Sequence, residues 1–191
     1  MKSLLLAAGL ALGLATVAVA EPVEYDLDPS HSQIVFHYSH LGFSTTTGMF
    51  SGFNGKIMFD ADKPADSSVA VSFPAKSLFT GWDERTAHFL TEDFFGADKN
   101  PDITFKSTSI EVTGEKTGKI TGDLTMNGIT KPVVLDATMT QMGEHPMMKK
   151  PWVGFEATTT VKRTDFDMGM YAPYVGDDVT IAISIEAAKA E

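Results

Sequence analysis

Five histidines, ten methionines and several paired carboxylates are the residues whose types could do chemistry in this 191-residue chain, and cysteine is absent. Without thiols there are no disulfides, no thiolate metal sites and no Cys nucleophile. Ser30–His31–Ser32 sets an imidazole beside two hydroxyls, with Asp26 and Asp28 just before it. Neighbours in sequence do not make a catalytic relay, and Asp28–Pro29 reads as a turn. His37 and His40 are three apart, so on one strand they face opposite ways. With His88 and His145 they assemble no recognisable ligand set, and no metal site is predicted. Met142–Gly143–Glu144–His145–Pro146–Met147–Met148 combines thioethers with an imidazole, donors that suit Cu(I). Gly143 and Pro146 make it read first as a solvated loop, with its methionines a flexible apolar lip. Asp165/Asp167 and Asp177–Asp178 could do acid–base work only in a cleft. In a chain this acidic they read as turns and solvated faces. No nucleophile elbow, P-loop, dinucleotide fingerprint or zinc-protease helix motif occurs, so no catalytic residue and no cofactor is predicted.

The elements that must position these residues are strands. Period-two alternation marks a strand with one buried face. It runs through Ile34/Phe36/Tyr38, Ile57/Phe59, Val69/Val71/Phe73, Ile103/Phe105, Val133/Leu135/Ala137/Met139, Val153/Phe155/Ala157/Thr159/Val161 and Val179/Ile181/Ile183/Ile185. Asn127–Gly128 is a two-residue hairpin turn, since both positions suit φ > 0. Thr113–Gly118 reads as a second turn, so 102–112, 117–126 and 129–141 form an antiparallel meander. About eight strands result, the range of a sandwich or a small barrel. One stretch lacks the alternation. Thr80–Phe95 carries Trp82, Phe89, Leu90, Phe94 and Phe95, and Asp83–Glu84 before Arg85 and His88 predicts a short helix, negative at its start and positive later.

Residues 1–20 read as a secretory leader: Met1–Lys2–Ser3, an uncharged run from Leu4, then a small-x-small cleavage site at Ala18–Val19–Ala20. The apolar run is short for a membrane span and no basic stop-transfer flank follows it. The mature domain is then 21–191, exported or periplasmic in a bacterium, and its fold relies on its core alone. The formal charge is −10, with 15 Lys+Arg against 25 Asp+Glu. That balance disfavours nucleic acid and anionic membrane faces. Thirteen Phe, four Tyr and two Trp are a heavy aromatic load for one small barrel. Gly42, Gly48, Gly52, Gly55, Gly122 and Gly154 stand where a filled barrel would want bulk; they mark barrel corners or leave room for an apolar guest. Pattern alone favours the filled core.

Taken together, these segments resemble the YceI-like family of bacterial lipid-binding proteins. The landmarks are Asp28-Pro-Ser-His-Ser-Gln-Ile-Val-Phe36, His40-Leu-Gly-Phe-Ser44, Gly48-Met-Phe-Ser-Gly-Phe-Asn-Gly55, Thr80-Gly-Trp-Asp-Glu-Arg85 with His88, and Asp93-Phe-Phe95. Further on they are Pro101-Asp-Ile-Thr-Phe105, Gly122–Val133 and Arg163-Thr-Asp-Phe166. Two positions depart from the family pattern: Thr86, where an Asp often follows the Arg, and Asp167, where a Gly often follows Asp-Phe. The first touches a polar pairing at the helix, the second a turn near the barrel mouth.

The resemblance implies an all-β fold, an eight-stranded antiparallel lipocalin-like barrel with a short helical insert. It also implies an apolar tunnel for a long-chain isoprenoid, such as an isoprenoid quinone, or for a fatty acid or its amide. That turns the Gly- and Phe-rich interior from a filled core into a tunnel. The inferred inward rows and the insert supply its lining: Phe36, Tyr38, Phe50, Phe53, Val71, Phe73, Trp82, Phe89, Phe105, Leu124, Phe155 and Ile183. Trp82 and Phe89 lie on the one non-strand segment and are candidates for a movable flap. Arg85 and His88 could meet a head group there, or Arg85 could pair with Glu84 or Asp93. The function that follows is a binding protein or carrier, not an enzyme. Its rivals are an enzyme acting on a lipid or quinone head group through His31, His88 and a carboxylate, and a filled-barrel interaction protein. A tail longer than the barrel would give the chain a reason to form a homodimer.

Overall fold

A computed structural model describes residues 21–191; the leader expected over residues 1–20 lies outside the described residues. Ten β-segments make one sheet: β1 Val23–Leu27, β2 Gln33–His40, β3 Ser44–Phe50, β4 Asn54–Phe59, β5 Ser68–Pro74, β6 Asp102–Val112, β7 Thr117–Met126, β8 Ile129–Glu144, β9 Pro151–Lys162 and β10 Asp178–Lys189. Every pairing is antiparallel. The order β1-β4-β5-β6-β7-β8-β9-β10 returns to β1 through Tyr25↔Lys189 and Leu27↔Ala187, so the sheet closes.

The ten segments amount to eight strands. β1 and β2 lie along the same partner, β10, which pairs β1 near its C-terminal end and β2 through Thr180–Ser184. β3 and β4 continue one another in the same way opposite them. The break at 28–32 is an irregular turn in which the Asp28 carboxylate accepts bonds from the Ser30 amide and hydroxyl. Asp28 also donates its backbone N–H to Glu186 O, which keeps the turn against β10. The expected eight-stranded antiparallel barrel with a short helix is therefore the fold.

The alternating rows face inward as read: Phe36, Tyr38, Phe73, Leu135, Ala137, Ala157 and Val161 are buried, while their neighbours in sequence face out. Asn127 (φ 49°) and Gly128 (φ 72°) make the two-residue turn between β7 and β8, with Met126 opposite Ile129. β8 runs on to Glu144, three residues past the expected end at Gln141, because β9 pairs with it through Glu144↔Pro151. The first three residues of the Met142–Met148 segment are thus strand, and 145–150 is a turn.

The helical insert fills a gap. At one end of the barrel β3 and β5 part, and Phe79 bridges Met49 by two backbone bonds to cover the edge of β3. The chain then forms α1, Asp83–Phe89, with Asp83 and Glu84 in the first turn and His88 in the last, a charge order that suits the helix dipole. It returns to the sheet where Ala75 N–H bonds Pro101 O. Among the described residues no helix is long and apolar enough to cross a membrane.

Candidate ligand-binding site

The barrel interior holds a narrow cavity of about 250 Å³. At one end it reaches Phe95, Met126, Arg163 and Met168, under the helical insert. At the other it reaches Pro64, Ser67, Glu115 and Lys116, in the β4–β5 and β6–β7 turns. Between them the wall is hydrocarbon from every strand around the barrel, with Phe50, Val71, Phe105, Leu124, Phe155 and Ile183 among the residues that face in. A second pocket, about 490 Å³, lies beneath α1 and shares Phe36, Phe95, Arg163, Met168 and Val179 with the first. The two adjoin, so the helix end is a vestibule to the barrel.

Aromatic rings line this route in sequence. Phe94 meets Phe89 at 4.8 Å between centroids, Phe89 meets Tyr38 at 6.1 Å, and Tyr38 stacks on Phe36 at 6.5 Å. Phe36 meets Phe50 at 5.7 Å, Phe50 meets Phe73 at 5.3 Å and Phe73 meets Phe53 at 4.8 Å. Two glycines are explained by this packing. A Cβ at Gly48 would lie 2.3 Å from the Phe36 ring, and one at Gly122 would lie 2.4 Å from the Phe105 ring. These positions are small because a ring lies over each of them, not to leave free space for a guest. That corrects the expectation for these two positions.

Besides Ser67, Glu115 and Lys116 at the far end, polar groups gather at the vestibule. Arg163 is buried, and its guanidinium donates to four backbone carbonyls, those of Met168, Met170, Val175 and Gly176. Burial pulls its pKa below the ordinary arginine value, with Asp177 and Tyr38 opposing. Asp177 itself is pushed up by burial, but the Thr164 amide and hydroxyl bind its carboxylate and bring it below the usual range. Arg85 donates from Nη2 to Thr80 O and lies 5.8 Å from the Trp82 ring, while its buried Nε has no hydrogen-bond partner. The pairings considered for it are not made: Asp93 accepts from His88 at 3.1 Å instead, and Glu84 is not bonded to it. At the first departure from the family pattern, Thr86 bonds Thr80 between hydroxyls, 2.8 Å apart. At the second, Asp167 caps the Arg163–Phe166 turn at φ 57°, the left-handed region that glycine and, less readily, Asp adopt.

The groups with catalytic types do not assemble. His31 uses the same ring nitrogen, Nδ1, toward Asp28 (2.7 Å) and Ser30 (3.0 Å), whereas a catalytic relay needs one ring nitrogen for each. His31 lines neither cavity. Asp28, His31 and Glu186 could offer three metal ligands, but Asp28 and His31 already bond each other and Glu186 accepts from Trp152 Nε1. His145 is no better placed for copper. Its Nδ1 lies 3.3 Å and 3.1 Å from the Met147 and Met148 amides, which can only donate. The ring proton then sits on Nε2, so neither nitrogen offers a lone pair until the turn opens.

Nine of the fourteen residues expected at the site line the barrel cavity: Phe36, Phe50, Phe53, Val71, Phe73, Phe105, Leu124, Phe155 and Ile183. Tyr38, Trp82, Arg85, His88 and Phe89 lie instead around the vestibule, and Trp82 is more than half exposed. Sequence reasoning passed over Val179, Ile181 and Ile185, although they stand in the same row as Ile183, and over Phe59, from whose row it drew no lining residue. It also passed over Phe95, in the insert, and Arg163, for which no local pattern announces burial.

Comparison with known proteins places this geometry. A model of the YceI-like domain matches residues 25–187. A UPF0312 protein of Ectopseudomonas mendocina is 40% identical over 189 residues, 95% of this chain and 96% of that one. The crystal structure of Burkholderia cenocepacia BcnA superposes with a TM-score of 0.76 at 25% identity, covering 85% of this chain and 99% of that one. A polyisoprenoid binding domain from Saccharophagus degradans superposes with a TM-score of 0.69 at 13% identity, covering 88% and 99%, a likeness of fold alone. The match over nearly all of the described barrel shows that the chain belongs to the YceI-like family.

Proposed function

We propose that this protein is a non-catalytic carrier that holds a long-chain isoprenoid, such as an isoprenoid quinone, or a fatty-acid-type lipid. The tail lies in the barrel and the head group in the vestibule. The observation that carries the reading is the hydrocarbon-walled cavity running from Phe95 and Met168 to Pro64 and Glu115. Each buried CH₂ contributes about 0.8 kcal/mol, so a five-carbon isoprene unit adds roughly 4 kcal/mol before ordering costs. A tail thus supplies affinity without directional contacts, and selectivity falls to the few polar groups at the mouth. Arg85, with its unpartnered Nε, and His88 are the groups proposed to meet a head-group oxygen. The polyisoprenoid-binding character of a protein with the same fold supports the ligand class, and the leader-like N-terminus supports a periplasmic setting.

Native mass spectrometry of the protein from the periplasm, followed by solvent extraction, tests this. A stoichiometric added mass that extracts as an isoprenoid or acyl compound is the expected result. A bare mass that stays bare after incubation with quinones and fatty acids would make the chain a filled-barrel interaction protein. Phe105→Asp, which puts a carboxylate into the cavity wall, should abolish uptake, and unchanged binding in the folded variant would overturn this assignment of the cavity.

A further inference from the structure

The mouth of the vestibule is ringed by side chains that the fold of an isolated protein does not require. Phe43 is 90% exposed, Tyr174 76% and Tyr171 61%; Leu41 and Trp82 are also exposed. They are close in space. Tyr171 and Trp82 line the vestibule itself, along with His40 and Ser44. Leu41 N–H bonds Tyr174 O, His40 bridges Val175, and Phe43 N–H bonds His40 O, which lashes the β2–β3 turn to the 168–176 loop. Leu41 (φ 55°) and Tyr171 (φ 64°) hold the left-handed backbone that bulky residues avoid.

Charge is missing from the same place. No Lys, Arg, Asp or Glu occurs from Pro29 to Gly55, nor from Met168 to Gly176, in a chain with 21% charged residues. The nearest fixed charges on α1 are Asp83, Glu84 and Arg85. A tip of Phe, Tyr and Leu without charges of its own, beside Trp82 at the start of α1, has the composition that settles at the boundary between lipid head groups and acyl chains.

We propose that this tip is a membrane-docking surface that seats the vestibule on a zwitterionic lipid bilayer, so that a lipid passes between bilayer and barrel without crossing water. The proposal rests on the carrier reading above for its purpose, though not for its geometry. Two features favour a bilayer over a second copy of the chain. Two copies meeting at this face would seal the opening it surrounds, and their like charge of −10 opposes the approach. The same charge favours a zwitterionic surface over an anionic one, so docking should survive added salt rather than weaken with it.

The test uses phosphatidylcholine vesicles doped with an isoprenoid quinone. The wild-type protein should float with undoped vesicles and take up quinone from doped ones. Phe43→Asp and Tyr174→Asp, both on largely exposed side chains, should abolish flotation and slow vesicle-to-protein transfer about tenfold or more. They should leave binding of detergent-dispersed quinone unchanged. Failure of the wild-type protein to float, or transfer by the variants at the wild-type rate, overturns the proposal. So does a fall in solution mass from dimer to monomer in the variants, which would make the tip a self-association surface. If no form binds quinone in detergent, the carrier reading fails, and flotation still judges the tip by itself.

Discussion

The two ends of the barrel are built on opposite principles. At the hairpin end the chain reverses through short turns that hold themselves by local bonds. The Asp60 carboxylate accepts from the Asp62 and Lys63 amides, Thr113 and Gly114 bond back to Thr117, and His145 bonds Lys150. That rim is charged, with Asp62, Lys63, Asp66, Glu115, Lys116, Glu144, Lys149 and Lys150. At the helix end, the 168–176 loop lacks a ladder and folds around one buried cation, Arg163, which gathers four of its carbonyls. Its rim is aromatic along the β2–β3 turn and the 168–176 loop, and charged only where α1 brings Asp83, Glu84 and Arg85 to it. The difference shows how one closed sheet obtains a direction: a self-sufficient polar end fixes the frame, and at the opposite end the 168–176 loop is free to be apolar because a single guanidinium satisfies four of its carbonyls.

Breaking that guanidinium should have the largest effect. Arg163→Met leaves four carbonyls without their donor and should cost at least about 3 kcal/mol, seen as a lower denaturant midpoint. Hydrogen exchange should show the 168–176 amides losing protection first. Equal protection at both ends would mean that the clamp does not govern the helix end.

Gly122→Ala and Gly48→Ala come next. The Gly48 methyl would drive the Phe36 ring toward the cavity, and the Gly122 methyl would press on both the Phe105 ring and the Lys106 carbonyl, 2.6 Å away, at a cost of about 1–3 kcal/mol each. Ligand capacity should fall more than stability does, because the displaced rings enter the space a tail would fill. Unchanged tail binding with an unchanged midpoint would show that the rings relax outward instead.

The smallest effect belongs to the seam between the ends, at Asp28 and His31. The hydrogen bond and charge of Asp28 raise the pKa of His31 above its usual value. This contribution is fully present below about pH 6.5 and is lost as pH rises through the higher folded value. For Asp28, burial pushes the pKa up, but the bonds from Ser30 and His31 outweigh it and leave it lowered. Its share is lost only as pH falls through that lowered value. Melting temperature followed from about pH 5 to pH 8 should decline slightly at the upper end, and His31→Gln should flatten the curve. An identical decline in the variant would assign the effect elsewhere.

The strands were legible because each buries one face, and a single buried face imprints period two on consecutive residues. Asn127–Gly128 was legible because a two-residue turn makes a local demand on φ. What stayed hidden depends on partners distant in the chain. Gly48 looks like vacant space until Phe36 is seen opposite it on β2, and the extension of β8 to Glu144 exists only because Pro151 pairs with it. Arg163 stands in the sequence only as part of a landmark, because nothing nearby reveals four carbonyls arriving from later residues. Trp82 was read as a wall of the tunnel; its place at the rim follows from how the insert crosses the barrel end.

The seam that closes the sheet also sets an order of events for the growing chain. Tyr25 finds its partner only at Lys189, and Phe36 only at Ile181, so the first strand stays unpaired on that side until nearly the whole polypeptide is present. The hairpins from β6 to β9 join neighbours and can form early, whereas closure must bear the entropy of the longest loop in the molecule. Until then both edges of the sheet are open to any passing strand. Loss of the last dozen residues would therefore strand an open sheet rather than trim a barrel.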